Sequence, residues 1–305
     1  MLSREGPRAW MSQELDRARS RATDADRVPL FCGSDLAARI ERAEAQLMAD
    51  VTEAARGRRA DGGGFVTPLA GGVATFAEEG SPYNKIAGLG FGGLPDAAVL
   101  DEIEREFAGQ GAAAQVEVAS LADPALVDML TDRGYRLAAF ENVLGRDITT
   151  GSEPVEVPEI EVRRSRPDEL DAWIELVTDA GAHPDTQGIP MEEFPRDVLE
   201  RAERDSAAID GMRRYVALRH GEPAGGASLR IAEGIAQMAG AATAPAHRRN
   251  GVQTALLAAR LADAAAAERC DVAVITTQPG SKSQQNVQRR GFDLLYTRAV
   301  LLKHV

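Results

Sequence analysis

Cysteine, histidine and aromatic side chains are scarce in this chain: 2 Cys, 4 His and 5% Phe, Trp and Tyr among 305 residues. Cys32 and Cys270 are far apart and stand in no metal-ligand spacing with the histidines, so neither a disulfide framework nor a metal site is expected, and a reducing, cytoplasmic setting follows. Long apolar runs are missing as well. Nowhere does the chain approach about 18 consecutive apolar residues, and its N-terminal stretch is charged throughout with no apolar h-region. Positive charge is in deficit, 35 Lys+Arg against 47 Asp+Glu for a net −12. That balance disfavours nucleic acid and anionic membrane surfaces and fits an amine-bearing partner.

What is present alternates between two periods. Leu36, Ile40, Leu47 and Val51 recur at helical spacing, with Ser34 as N-cap and Gly57 as stop. Residues 64–93 carry β-branched and aromatic residues cut by Gly and Ser-Pro, which suits a strand meander. A second helix (Leu100, Ile103, Phe107), a strand (115–121), a short helix and a closing strand (135–148) complete the first half. Residues 149–159, rich in Gly, Ser, Pro and Glu, read as a linker. The second half repeats the alternation: strand, helix (Leu170, Trp173, Ile174, Val177), a helix broken at Pro195, three strands with the third at 234–243, a helix from Gly251 to Ala267, a strand at 271–277, a helix from Ser281 to Arg290, and a last strand. The expectation is a mixed α+β (α/β) fold divided into an N-terminal arm (1–33), a first domain (34–148), the linker and a second domain (160–305).

The halves look like copies. "RGYRLAAFENVL" (133–144) lies over "RGFDLLYTRAVL" (290–301) without a gap, aligning Leu137 with Leu294, Val143 with Val300 and Leu144 with Leu301. "IAG" (86–88) matches "MAG" (238–240) in the same way. From Gly88 to Gly134 is 46 positions, from Gly240 to Gly291 it is 51, and the simplest place for the five extra residues is the loop "AHRRNGVQ". Its counterpart, "GGLPDAAVLDE", sets Asp96, Asp101 and Glu102 at a helix N-terminus, where they repel an anion; Arg248, Arg249 and unpaired backbone N–H groups attract one.

Arg248-Arg249-Asn250-Gly251-Val252-Gln253 resembles the pyrophosphate-binding Q/R-x-x-G-x-G/A motif of the GNAT-type N-acetyltransferase superfamily, between a central strand and a helix. Ser283, Asn286 and "RRGF" (289–292) resemble the segment that closes the acyl-CoA site. The resemblance covers residues 160–305, with the first half similar to a degenerate copy, and implies two GNAT-like domains in tandem, each a mixed, mostly antiparallel sheet flanked by helices. It further implies acetyl-CoA as co-substrate, held by Ala242, Thr243, Arg248, Arg249, Asn250, Gly251, Val252, Gln253, Thr254, Ser283 and Asn286, with no metal. Gln253 departs from the motif, standing where the family has Gly or Ala.

Acetyl transfer to an amine needs a deprotonated nitrogen, an oxyanion stabiliser and an acid for the thiolate. The resemblance gives the oxyanion contact to backbone N–H groups near Ala241 to Thr243. The strand before the loop holds no acid apart from Glu233 at its start. The family's tyrosine acid falls on Val287, which leaves Tyr296 as the nearest phenol, or a core aromatic. His247 reads as a capping or phosphate contact, Glu192 and Glu193 as first-turn acids, residues 183–190 as an acceptor-side loop or an ordinary connection. Glu141 reaches the acceptor cleft if the two copies pack with their last strands together. The expected activity is acetyl transfer from acetyl-CoA to a small-molecule or peptide amine, with no nucleic-acid or membrane partner; the second reading is a non-catalytic acyl-CoA-binding module.

Overall fold

A computed structural model describes residues 28–149, 157–181 and 194–304. Residues 1–27 of the expected N-terminal arm, most of the linker, residues 183–190, Glu192 and Glu193 therefore lie outside the described residues. Residues 28–31 carry neither helix nor strand. From Cys32 onward the chain is one compact unit.

In the first half, α1 (Ser34–Arg58) is followed by β1 (Phe65–Leu69), β2 (Gly72–Phe76), β3 (Lys85–Ala87), α2 (Ala97–Gly109), β4 (Ala114–Ala119), α3 (Pro124–Asp132) and β5 (Arg136–Asp147). The second half holds β6 (Ile160–Arg164), α4 (Leu170–Gly181), α5 (Arg196–Ala208), β7 (Arg213–Arg219), β8 (Glu222–Ala232), β9 (Ile235–Gln237), β10 (Ala242–Thr243), α6 (Val252–Ala265), β11 (Val272–Thr277), α7 (Lys282–Gln288) and β12 (Asp293–Lys303). The periodicities placed these elements well and their ends less well. Gly33, not Ser34, is the N-cap of α1, and the helix runs past Gly57 to Arg58. Pro195 opens α5 as its N-cap, a position that asks nothing of the missing N–H, and the part of the expected broken helix before Phe194 lies outside the described residues. The strand expected at 234–243 is two short pieces separated by Met238–Ala241.

The strands of the described residues form one mostly antiparallel sheet in the order β1-β2-β3-β4-β12-β5-β11-β9-β8-β7-β6, with β10 on β8. Among the described residues the only parallel pairings are β3 with β4 and β9 with β11. The halves exchange their last strands: β12 lies between β4 and β5, and β5 between β12 and β11. Each core consequently contains residues of the other half. Leu301 packs with Phe76, Leu100, Phe107 and Val116, while Leu144 and Ile148 pack with Leu229, Leu256 and Ile275. Each such aliphatic side chain, fully buried, contributes about 1.5–3 kcal/mol.

The register of the exchange follows the sequence repeat. Leu137 pairs with Leu301 and Leu144 with Leu294, so each residue faces the aligned partner of the other; Ala139–Val300 and Val143–Tyr296, and likewise Phe140–Ala299 and Asn142–Thr297, are reciprocal in the same way. Even the irregularities match, one between Leu294 and Tyr296 and one between Val300 and Leu301. Such reciprocity is the signature of an isologous two-fold contact, here formed within one chain.

Across the junction lies α1. Its apolar face, Leu47, Met48 and Val51, covers Val73 and Ala87 of the first half and Ile209 of the second. Helix α1 thus ties the sheet's two sides together on the face away from α6 and its core.

Candidate functional site

The phosphate-like loop sits between β10 and α6. Gly251 caps α6 with φ +83 and no side-chain bond, and Arg249 before it is left-handed at φ +63. A Cβ on Gly251 would stand 2.7 Å from Val157 Cγ1, so the position demands glycine on two counts. Among the described residues, nothing accepts from the backbone N–H groups of Arg249, Asn250, Gly251, Val252, Gln253 and Thr254; the first bond of the helix runs from Ala255 N–H to Gly251 O at 3.0 Å. A row of open donors at the positive end of a 14-residue helix fits an anion.

The first half shows what closes such a row. Asp96 is the N-cap of α2, and its carboxylate accepts from the N–H of Ala98 at 2.8 Å and of Val99 at 3.3 Å. One expectation needs correcting: Asp101 and Glu102 lie beyond the first turn, and Asp101 is bound to Arg133. Nor do all the extra residues fall in the Arg-rich loop. Twelve positions separate Gly240 from Val252 and nine separate Gly88 from Ala97; three more lie between the helix start and the next strand, and one is lost after it.

The side chains of the loop are divided in their duties. Arg248 donates to Ala180 O at 3.3 Å, and Asn250 to Arg248 O at 3.1 Å, which holds the turn. Arg249 is exposed. Gln253, the departure from the motif, donates to Thr243 Oγ1 at 2.9 Å and so clamps the exit of β10 to the first turn of α6. Ala242 and Thr243 are held on β8 opposite Gly226 and Gly225. His247 lies in a single 3-10 turn before the loop, its Nδ1 buried without a hydrogen-bond partner among the described residues.

At the other wall, α7 is capped by Ser281, not Ser283: the Ser281 hydroxyl accepts from Gln284 N–H at 3.1 Å. Ser283 is exposed and Asn286 half-buried. Val287 is a core residue, 5% exposed. Tyr296 is 4% exposed and donates its hydroxyl to Glu41 on α1 at 2.6 Å. Burial and the Glu41 charge raise its phenol well above the ordinary value, so its proton is committed to α1. Glu233 does not reach inward; it sits exposed in the β8–β9 turn, 3.8 Å from Arg42.

Two residues not picked out from the sequence shape the break in the strand. Arg260, fully buried on α6, donates to Ser228 O at 3.0 Å and Ala239 O at 3.2 Å, with burial lowering its guanidinium to about 10. Its signal was available: an Arg on the helix face that otherwise carries Leu256, Leu257, Leu261 and Ala264. With Ala239 held this way, the N–H groups of Gly240 and Ala241 stay exposed and without an acceptor among the described residues. Glu203 on α5 stands against Gly240 from the other side. The arrangement suits a phosphate-bearing ligand at α6 whose far end meets open N–H donors at Gly240 and Ala241.

Among the described residues no group of three or more His, Cys, Asp or Glu side chains is placed to hold a metal ion, and no helix is long and apolar enough to cross a membrane.

Residues 183–292 match the Acetyltransferase (GNAT) family. No match was found among curated proteins. Among solved structures, the chain is similar to a GCN5-related N-acetyltransferase from Kribbella flavida, 22% identical over 88% of this chain and 95% of that one, with a TM-score of 0.61. It also resembles a tandem GNAT protein from the clavulanic acid biosynthesis pathway, 14% identical over 78% of each chain at TM-score 0.54. A GCN5-related N-acetyltransferase from Sphaerobacter thermophilus is 15% identical over 87% of this chain and 93% of that one, at TM-score 0.52. At these identities the likeness is one of fold. The family match covers the Arg-rich loop, α6, β11 and α7, and none of the first half.

Proposed function

We propose that this chain is an acyltransferase of the GNAT type, which binds acetyl-CoA along the second half and passes the acetyl group to an amine. The observation that carries this reading is the contrast between the two helix N-termini. At α2 the donors are filled by Asp96, at α6 they are open, with Arg249 exposed beside them. The family match over residues 183–292 supports it.

In this reading the pyrophosphate lies on the N–H groups of residues 249–254, with Arg248 and Arg249 contributing charge. Gln253 and Thr243 fix the rim through their mutual bond. The acyl carbonyl lies against Gly240, Ala241 and Ala242, while Ser283 and Asn286 line the pantetheine side. The first half, from α1 to β5, is a copy without a donor site that supplies strand β5 and part of the acceptor wall, and the linker follows it.

Calorimetry with acetyl-CoA on the wild type and on Gly251→Asp tests the reading. The variant places a carboxylate where the phosphates would lie, and at least a ~10-fold loss of affinity is expected. An intact wild type with no affinity for acetyl-CoA would overturn it.

A second reading, acyl-CoA binding without turnover, draws on one observation: both positions for a phenolic acid are taken, Val287 by the core and Tyr296 by Glu41. Thiol release above background with any member of an amine panel separates the two.

A further inference from the structure

The strand that leads into the loop carries no acid within reach of Gly240, yet an acceptor ammonium must lose a proton before its nitrogen can attack a thioester. The group that stands there comes from a helix. Glu203 of α5 turns its carboxylate toward Gly240, the two oxygens 3.6 and 3.7 Å from where a side chain on Gly240 would begin. Ser228 Oγ is 4.0 Å from the same point, and the open N–H groups of Gly240 and Ala241 are adjacent.

The neighbours of Glu203 on its own helix are all engaged elsewhere. Arg201 holds Glu78 and Asp197, Arg204 holds Asp171, and Arg58 from α1 holds Asp205. Glu203 itself has no ion-pair or hydrogen-bond partner among the described residues. Burial without a compensating charge pushes its carboxyl up to about 7, near the value at which a base works best in neutral solution. Tyr83 from the β2–β3 loop lies within range of its charge, with Ser206 of α5 and Glu44 of α1 acting on that phenol in turn, and Ser228 Oγ on β8 stands beside Gly240. Burial first, then the charge of Glu203, raises the Tyr83 phenol, with Glu44 adding to it. Burial raises Glu44 as well, against the pull of Arg298. Among the described residues no cation is paired with Glu203 to hold it permanently ionised.

Resting on the donor site proposed above, we propose that Glu203 is the general base of the transfer, in a cleft to which the first half contributes Tyr83. The acceptor ammonium gives one proton to Glu203, which passes it to solvent. The neutral nitrogen then forms a C–N bond to the acetyl carbonyl, and the oxygen takes negative charge against the N–H groups of Gly240 and Ala241. As the C–S bond breaks, its electron pair leaves with sulfur, and the second nitrogen proton ends on the thiolate. The products are an amide, a thiol and one proton in solution.

The test is a pH series of thiol release from acetyl-CoA, with a panel of primary amines and with water alone as acceptors, on wild type, Glu203→Gln and Glu203→Asp. Acetyl-CoA affinity is measured on each by calorimetry. The wild-type rate is expected to rise with pH through about 7. Glu203→Gln is expected to bind acetyl-CoA as the wild type does, to lose that ascending limb and to fall by at least ~100-fold, whereas Glu203→Asp keeps the limb at a reduced rate. A Glu203→Gln protein with the wild-type limb and rate overturns the proposal, as does a wild type that binds acetyl-CoA and releases no thiol. Failure of the wild type to bind acetyl-CoA instead sinks the donor reading.

Discussion

Glu141 and Arg298 occupy the same position in the two copies of the repeat, and they face each other. They are Cα partners in the β5–β12 ladder, at the centre of its reciprocal register, with Arg298 Nη1 3.9 Å from Glu141 Oε2. A perfectly repeated sequence would set two identical side chains against each other there. This one sets an acid against a base, in a cluster where Glu41, Glu44, Glu117 and Glu141 outnumber Lys85 and Arg298. Arg298 is already held by Glu41 at 2.8 Å, and Lys85 by Glu117 at 2.6 Å. Burial alone would raise Glu117, but Lys85 and Arg298 outweigh it and hold it below the ordinary range.

With Glu44 also raised, Glu141 carries part of the excess of negative charge. Burial, and next the Glu117 charge, push it from 4.5 up to about 7. The folded state then binds more protons than the unfolded chain between those values, so this group's contribution is full below about 4.5 and is lost as pH rises through 7. Glu141→Gln is expected to be near neutral at pH ~5 and to gain on the order of 1–2 kcal/mol at pH ~8. Urea denaturation at the two pH values checks it; an equal effect at both counts against it.

Tyr296→Phe leaves Glu41 with Arg298 Nε but without its second donor, inside the protein. The expected cost is about 1–3 kcal/mol of stability with thiol release unchanged once the protein is folded. A lowered turnover with unaltered melting would return Tyr296 to the role of acid.

Asp96→Ala removes the cap of α2. The loss expected is about 1 kcal/mol, with acetyl-CoA affinity unaltered, because the donor site lies at the other helix. Thermal melting and calorimetry on the same sample read both halves of the statement.

Arg260→Leu fits the apolar face of α6 but strips donors from the carbonyls of Ser228 and Ala239. Relief of a buried charge offsets part of the loss, and a net destabilisation of about 1–3 kcal/mol is expected. Amide exchange at Ser228, whose N–H donates to the same Ala239 carbonyl at 3.1 Å, should quicken more than exchange in β7. Unchanged exchange there would mean that the break in the strand holds without Arg260.

Local patterns made most elements legible, because apolar periodicity and turn residues act within a few residues of themselves. The loop at 248–254 was legible for the same reason: Gly251, its flanking strand and its helix are contiguous. Gln253 looked like a defect until its partner Thr243 was known, ten residues earlier. Glu203 was invisible among the many acids of a charged helix, since what distinguishes it is the absence of a partner. The strand exchange rests on pairings across about 150 residues, and only the 133–144 and 290–301 alignment hinted at it. The tight bond between Tyr296 and Glu41 spans 255 positions, which no spacing argument reaches.

The exchange also sets an order of events. While the chain is being synthesised, β4 has an unpaired edge and the first core lacks Leu301 until residues 293–303 have emerged. The first half can collapse early but can be completed only once β12 has been made. Its open edge is the stage at which it is exposed to pairing with the wrong neighbour, including the same edge of another nascent chain.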